Sequence, residues 1–157
     1  MRFVKVGNYI PKEVDTEDFL TETRERLYNY YKDSKEWFHD NYEDILIPGK
    51  INYSDKRQFI IVYDVDDKCK LVGFALLKMT KDDKKVATLY VAKDYKNKGV
   101  GSMLLKEAVT YFKEEPYIFF SEKVLLDNPL FPYVLIKNGF KFTEKKDEQY
   151  YFKYSEV

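Results

Sequence analysis

A chain of 157 residues is long enough to bury a core of its own, and it is expected to form a single domain over residues 1–157. Its formal net charge of zero argues against a nucleic-acid-binding surface, and no apolar run approaches the length of a membrane span, so neither nucleic acid nor membrane is an expected partner. One cysteine, Cys69, rules out an internal disulfide; with only one histidine, His39, no Cys/His zinc site can be assembled, and no metal is expected.

Met1 to Gly7 lacks the apolar core of a signal peptide, which makes the cytoplasm the expected compartment. A homodimer is compatible with that setting. The high aromatic content reads as core and pocket material, because no basic–aromatic repeat accompanies it.

In chain order, Arg2 to Ile10 reads as a first strand, stopped by Pro11. Asp15 or Thr16 then caps a helix reaching about Tyr31, with Glu17 and Asp18 in its first turn. Asp33 and Ser34 mark a second helix start, Asp33 standing three residues before Glu36, and Trp37, Phe38, Tyr42 and Ile45 form its apolar side. The first 50 residues hold 11 acidic against 8 basic residues, the balance of solvated helix faces or of a mildly acidic lip suited to an amine.

A strand meander follows: Gln58 to Tyr63, a turn over 64–68, Lys70 to Met79, and a turn over 81–84. The run Val86 to Val91 is apolar and rich in β-branched and aromatic residues, as expected of a strand covered on both faces. From Val100 the period becomes helical, with Val100, Met103, Leu104, Ala108, Val109 and Phe112 on one stripe. Tyr117 to Phe120 is the next strand, and the strand–helix–strand order predicts a parallel pair. A last helix is expected from Asn128 or Leu130 to Asn138, with Gly139 closing it. Two strands, Phe140 to Thr143 and Gln149 to Tyr154, end the chain around a turn over 144–148.

Gly99 and Gly101 sit where the central helix begins. A helix start leaves N–H donors unpaired at the positive end of its dipole, and glycine lets an anion approach the backbone. The stretch is therefore a candidate cradle for a pyrophosphate, with Lys96 and Lys98 adding charge. The dinucleotide fingerprint fails because Leu104 stands where glycine is needed, and no P-loop sequence is present.

Val-x-x-x-Tyr on a strand (Val86 to Tyr90), followed by Lys96-x-x-Gly99-x-Gly101 opening a helix, resembles motif A of the GNAT superfamily of N-acetyltransferases. The family pattern has Gln or Arg where Lys96 stands. Lys137-Asn138-Gly139-Phe140 is similar to the family's Gly-Phe helix ending, and the element order matches across nearly the whole chain. The resemblance implies an α/β (α+β) acyl-CoA N-acyltransferase fold, with a mixed sheet of about seven strands and about four helices. It also implies acetyl-CoA as co-substrate and a small-molecule or peptide amine as acceptor. Within it, the backbone of Tyr90 and Val91 would hold the pantetheine arm and thioester. Lys96, Asn97, Lys98, Gly99, Val100, Gly101 and Ser102 would hold the pyrophosphate, and Asn128 the arm.

Acetyl transfer needs a neutral amine, a donor to the thioester oxygen and two positioned substrates. Many family members carry a tyrosine acid where this chain has Leu135, and some a glutamate where it has Lys85. Glu122 is the candidate base, with Ser121 beside it as a hydrogen-bond donor or water-positioning group. His39 reads as a surface side chain or a base, and Tyr28, Tyr30 and Tyr95 as core or acceptor-pocket lining. The missing acid leaves room for a second reading, a non-catalytic acyl-CoA-binding or regulatory module. A third is an interaction domain that binds no CoA.

Overall fold

The computed structural model describes residues 1–30, 34–52, 54–81, 84–112 and 115–155, without the side chain of Tyr30. Its strands are β1 (Phe3–Gly7), β2 (Arg57–Asp64), β3 (Lys70–Met79), β4 (Lys84–Val91), β5 (Tyr117–Ser121), β6 (Phe140–Lys146) and β7 (Gln149–Tyr154). The helices are α1 (Glu17–Tyr30), α2 (Lys35–Phe38), α3 (Val100–Phe112), α4 (Glu122–Asp127) and α5 (Phe131–Lys137). All seven strands share one sheet in the order β1-β2-β3-β4-β5-β7-β6. Every neighbouring pair is antiparallel except β4 and β5, joined in parallel through α3, as a crossover helix requires.

β2 and β3 are buried nearly end to end, because α1 and α2 cover one face of the sheet and α3 the other. On the first face Phe74 packs against Tyr42 at 5.1 Å and Phe59 at 6.2 Å between ring centres. On the second, Val100, Leu104, Leu105, Ala108 and Phe112 are buried. Gly73 on β3 makes that contact close: a Cβ there would lie 2.5 Å from Val100 Cγ1. Glycine thus lets the first turn of α3 rest directly on the sheet.

Several expectations are corrected. β4 is not covered on both faces: only Val86 and Tyr90 are buried, and the other residues are half-exposed. The cause lies in its pairing with β5, which has a single register point, Lys85 with Tyr117, after which the strands diverge. The final helical segment is two helices, α4 and α5, with Asn128 and Leu130 between them, so the sheet carries five helices. The last turn is tight: β6 runs on to Lys146, and Asp147 and Glu148 both take left-handed φ values, 52° and 63°. Thr16 immediately precedes α1, its carbonyl accepting from Leu20 N at 3.0 Å, while Asp15 Oδ1 accepts from Glu17 N at 3.0 Å. Trp37 is 38 % exposed, unlike Phe38, Tyr42 and Ile45, and the second helix passes into a π-helical turn, His39–Glu43. Asp33, Tyr31 and the Asp82–Asp83 turn lie outside the described residues.

Candidate active site

The site begins where β4 ends. Ala92 N donates to Val72 O at 2.8 Å, and a 3-10 turn, Lys93–Tyr95, follows. Tyr95 pins this turn to the core: its hydroxyl lies 2.6 Å from Asp67 Oδ2 and 3.1 Å from Asp64 Oδ2. Asn97 and Gly99 then take left-handed φ values of 63° and 87°, turning the chain up into α3. A left-handed residue at a turn favours glycine, and a Cβ at Gly99 would meet nothing within 4 Å.

The first helical bond of α3 runs from Met103 N to Gly99 O at 3.0 Å. The N–H groups of Val100, Gly101 and Ser102 precede it and face out of the first turn. Gly101 forms the floor between two walls: a Cβ there would stand 3.7 Å from Val134 Cγ1 and 3.8 Å from Val91 Cγ2. Asn138, which sequence reasoning missed, donates from Nδ2 to Ser102 Oγ at 3.0 Å and to Val134 O at 2.8 Å. It ties the end of α5 to the start of α3 and so fixes the cradle's width. Lys96 is half-buried at the cradle's edge, whereas Asn97 and Lys98 are exposed. Burial, then the nearby Arg26 charge, lowers the Lys96 pKa.

Beside Lys96 lies a charged cluster not foreseen in the sequence. Arg26 of α1 reaches Asp127 at the end of α4, at 2.5 Å, and its guanidinium lies 5.2 Å from the centre of the Tyr90 ring. Glu22, one turn earlier on α1, accepts from Lys93 N at 2.6 Å. Burial works against the Arg26 charge, but Tyr90 and Asp127 outweigh it and its pKa is raised. The Arg26–Asp127 pair joins α1 to α4 across the mouth opened by the divergence of β4 and β5.

Three hydroxyls line that opening. Register shifts in β4 between the partners of Leu76 and Leu77, so Lys85, Thr88 and Tyr90 all point to the face covered by α1 and α2. Parallel pairing of Lys85 with Tyr117 puts Tyr117, Phe119 and Ser121 of β5 on that face too. Ser121 Oγ is buried and makes no hydrogen bond, and Thr88 Oγ1 and Tyr90 Oη are buried with only weak polar contacts, Thr88 to the Tyr42 hydroxyl and Tyr90 to Arg26 and Glu22. A buried hydroxyl left unsatisfied costs about 1–3 kcal/mol, so incompletely satisfied hydroxyls gathered on one face mark a place for a polar ligand group. Tyr42, fully buried in the π-helical turn, lies beside Thr88 and Tyr90. Burial and, for Tyr90, the neighbouring Glu22 charge raise the phenol pKa values of both, so both stay protonated.

The remaining predicted residues fall as follows. Val91 flanks the cradle and Asn128 caps α4, its N–H donating to Val124 O at 2.8 Å. Glu122, the candidate base, is the first residue of α4; its carboxylate accepts from Lys145 at 2.6 Å and lies 3.3 Å from the Tyr150 hydroxyl. The Lys145 hydrogen bond and charge hold its pKa below the ordinary value, which weakens it as a base. His39 is exposed, 3.8 Å from Glu43. Tyr95 is engaged with two aspartates, so it is not acceptor-pocket lining, and Tyr28 is exposed against Phe38. Leu135 is fully buried, and Tyr133 points to solvent. Among the described residues no three His, Cys, Asp or Glu gather into a metal site.

A mixed seven-stranded sheet that splays between β4 and β5, with a glycine-floored helix start at the splay, is the architecture of an acyltransferase. The family model described as the acetyltransferase (GNAT) family matches residues 22–129, and the chain belongs to that family. No curated protein matches it. Among solved structures it is similar to the PaiA N-acetyltransferase from Thermoplasma acidophilum in complex with coenzyme A, at 19 % identity and a TM-score of 0.69, over 99 % of this chain and 100 % of that one. It is similar to Arabidopsis thaliana NAA60 in complex with a bisubstrate analogue, at 16 % identity and a TM-score of 0.63, over 96 % and 98 %. A third is the Campylobacter jejuni N-acetyltransferase PseH in complex with acetyl coenzyme A, at 13 % identity and a TM-score of 0.57, over 99 % and 100 %. At these identities the likeness speaks for the fold.

Proposed function

We propose that the protein is a single-domain N-acetyltransferase that moves an acetyl group from acetyl-CoA to a primary amine. The observation that carries this reading is the cradle: three unpaired helix-start amides over a glycine floor, set at the mouth of the β4–β5 divergence. In this reading the amides of Val100, Gly101 and Ser102, with Lys96 and Lys98, hold the pyrophosphate. Backbone groups of Tyr90 and Val91, released by the divergence, pair with the pantetheine arm, and Asn128 supports it. Acetyl-CoA supplies the activated acetyl group.

The chain's own part is positioning and proton handling. Thr88, Tyr90 and Ser121 orient the acceptor nitrogen, and their hydroxyls pass its proton to solvent. Tyr90, held protonated, is a donor for the departing sulfur. Glu122, tied to Lys145, is the weaker candidate for the base. Calorimetric titration with acetyl-CoA and free CoA tests the cofactor, and micromolar binding is expected. An assay of CoA thiol release over a panel of amines tests the enzyme.

A second reading is a non-catalytic acyl-CoA-binding module. It is favoured by the burial of Leu135, which leaves no side chain to act as acid at that position. Tight CoA binding with no turnover on any amine would establish it.

A further inference from the structure

Three side chains of α1 converge on Tyr90. Phe19, Glu22 and Arg26 stand at i, i+3 and i+7, on one stripe of the helix. The Phe19 ring packs edge-on against the Tyr90 ring at 5.1 Å between centres, and the Arg26 guanidinium lies 5.2 Å from the Tyr90 centre. Glu22, half-buried, is in weak polar contact with the Tyr90 hydroxyl, as is Arg26. One phenol therefore meets one carboxylate and one guanidinium, at the mouth where β4 and β5 diverge.

Each of these partners is held by a different element. Glu22 Oε1 accepts from Lys93 N at 2.6 Å, which ties it to the turn between β4 and the cradle. Arg26 is tied to Asp127 of α4 at 2.5 Å. Of the carboxylates around the opening, Asp127 is engaged by Arg26 and Glu122 by Lys145. Glu22 accepts from a neutral amide, and a carboxylate has about four lone-pair sites, so it keeps room for a proton.

Acetyl transfer to an amine moves one proton from nitrogen to sulfur. The N–C bond forms, the C–S bond breaks, the nitrogen gives up one proton and the CoA thiolate gains one. By ordinary values a phenol is a weaker acid than a thiol, roughly 10 against 8.5, so Tyr90 needs help to protonate the thiolate. The charges beside it give that help in sequence. Burial, then the Glu22 charge, raises the Tyr90 pKa, and Arg26 lowers it. Once Glu22 has taken a proton its charge is gone while that of Arg26 remains, so the phenol is most acidic as the thiolate leaves.

We propose that Glu22 receives the proton of the acceptor nitrogen and returns it to Tyr90 after the Tyr90 hydroxyl has protonated the departing sulfur, with Arg26 steadying the transient phenolate. Amine and acetyl-CoA become amide and CoA thiol, and Glu22 and Tyr90 end as they began. The inference rests on the acetyltransferase reading and gives the nitrogen's proton a destination inside the site.

Glu22→Gln tests it, since glutamine can still accept from Lys93 N but cannot take the proton. With an amine that the unaltered protein acetylates, kcat should fall about 100-fold while CoA affinity, read by calorimetry, is no weaker. The ratio of the two rates should shrink as pH rises and hydroxide replaces the carboxylate, whereas a merely structural loss would be constant with pH. The groups facing Glu22 are Tyr90, Arg26, Lys93 and Lys96, with Asp127 behind Arg26, and Tyr42 faces Tyr90. Tyr90→Phe should cost a similar factor, and the double variant no more than the worse single, because a circuit broken once is broken. In the absence of any ligand, the NMR signal of the labelled Tyr90 ring, assigned through Tyr90→Phe, should move in Glu22→Gln. Full activity in Glu22→Gln, a deficit constant with pH, additive losses in the double variant or an unmoved Tyr90 signal overturns the proposal. Failure of the unaltered protein to bind CoA, or to acetylate any amine, overturns the acetyltransferase reading and the circuit with it.

Discussion

Gly101→Ala separates a binding glycine from a structural one. The φ of Gly101 is not in the left-handed region, and its added methyl would meet Val134 and Val91 at 3.7 and 3.8 Å, ordinary contact distances. The fold should accept it, and alanine inside a helix is favoured over glycine by up to about 1 kcal/mol, less near the first turn. The same methyl would stand beside the first-turn amides of α3, between Val134 and Val91. A phosphate pushed off them loses at least one amide hydrogen bond, and one to a charged group contributes about 1.5–3 kcal/mol. The substitution should therefore hold or slightly raise the melting temperature while weakening CoA binding by roughly 10- to 100-fold. Thermal melting and calorimetry on the same preparation read both. Unchanged affinity would refute the cradle, and an affinity loss matched by an equal loss of stability would reduce Gly101 to a packing residue.

Three further outcomes are expected. Gly73→Ala drives a Cβ to 2.5 Å from Val100 Cγ1, so it should destabilise the protein by about 1–3 kcal/mol and weaken CoA binding through the displaced helix start; denaturant titration and calorimetry check it. Ser121→Ala removes a buried hydroxyl that makes no hydrogen bond, so stability should hold or rise by about 1 kcal/mol while KM for the amine increases, an opposition that melting and kinetics reveal. Asp64 has a lowered pKa: burial opposes its charge, but the Arg2 and Asp66 amides and the Tyr95 hydroxyl outweigh it. Its contribution is present above the unfolded value near 3.8 and lost as pH falls through the folded one. Tyr95, raised by burial and by its hydrogen bond to Asp67, contributes below pH 10.0 and loses that as pH rises. Urea unfolding across pH should show both limbs, with Asp64→Asn flattening the acid one; an unchanged acid limb would count against the assignment.

The glycine-bearing helix start was legible because glycine spacing and the change of period from strand to helix are local. β3 and β7 were read to their end residues for the same reason, each being a short alternating or apolar run between polar turns. The acceptor side was not legible. Thr88 carries no sequence signal, since its facing depends on a register shift in β4 that alternation alone does not reveal. Arg26 and Asp127 stand 101 positions apart, and only the fold brings them together. The helical position of Glu122 was not legible, because α4 is short and uncapped, its Ser121 side chain making no capping bond. Leu135, read as a vacant acid position, is a fully buried core residue, so a tyrosine there would overpack rather than restore an acid.

The most direct test of the central claim is a turnover measurement. The protein is incubated with acetyl-CoA and a primary-amine panel, and CoA thiol release is followed together with mass-spectrometric detection of the acetylated amine. The account predicts equal amounts of free CoA and N-acetylated product with at least one amine, and a reduced rate of both in Gly101→Ala at CoA concentrations that just saturate the unaltered protein. Tight CoA binding with no acetylated product across the panel would contradict it and leave a binding module.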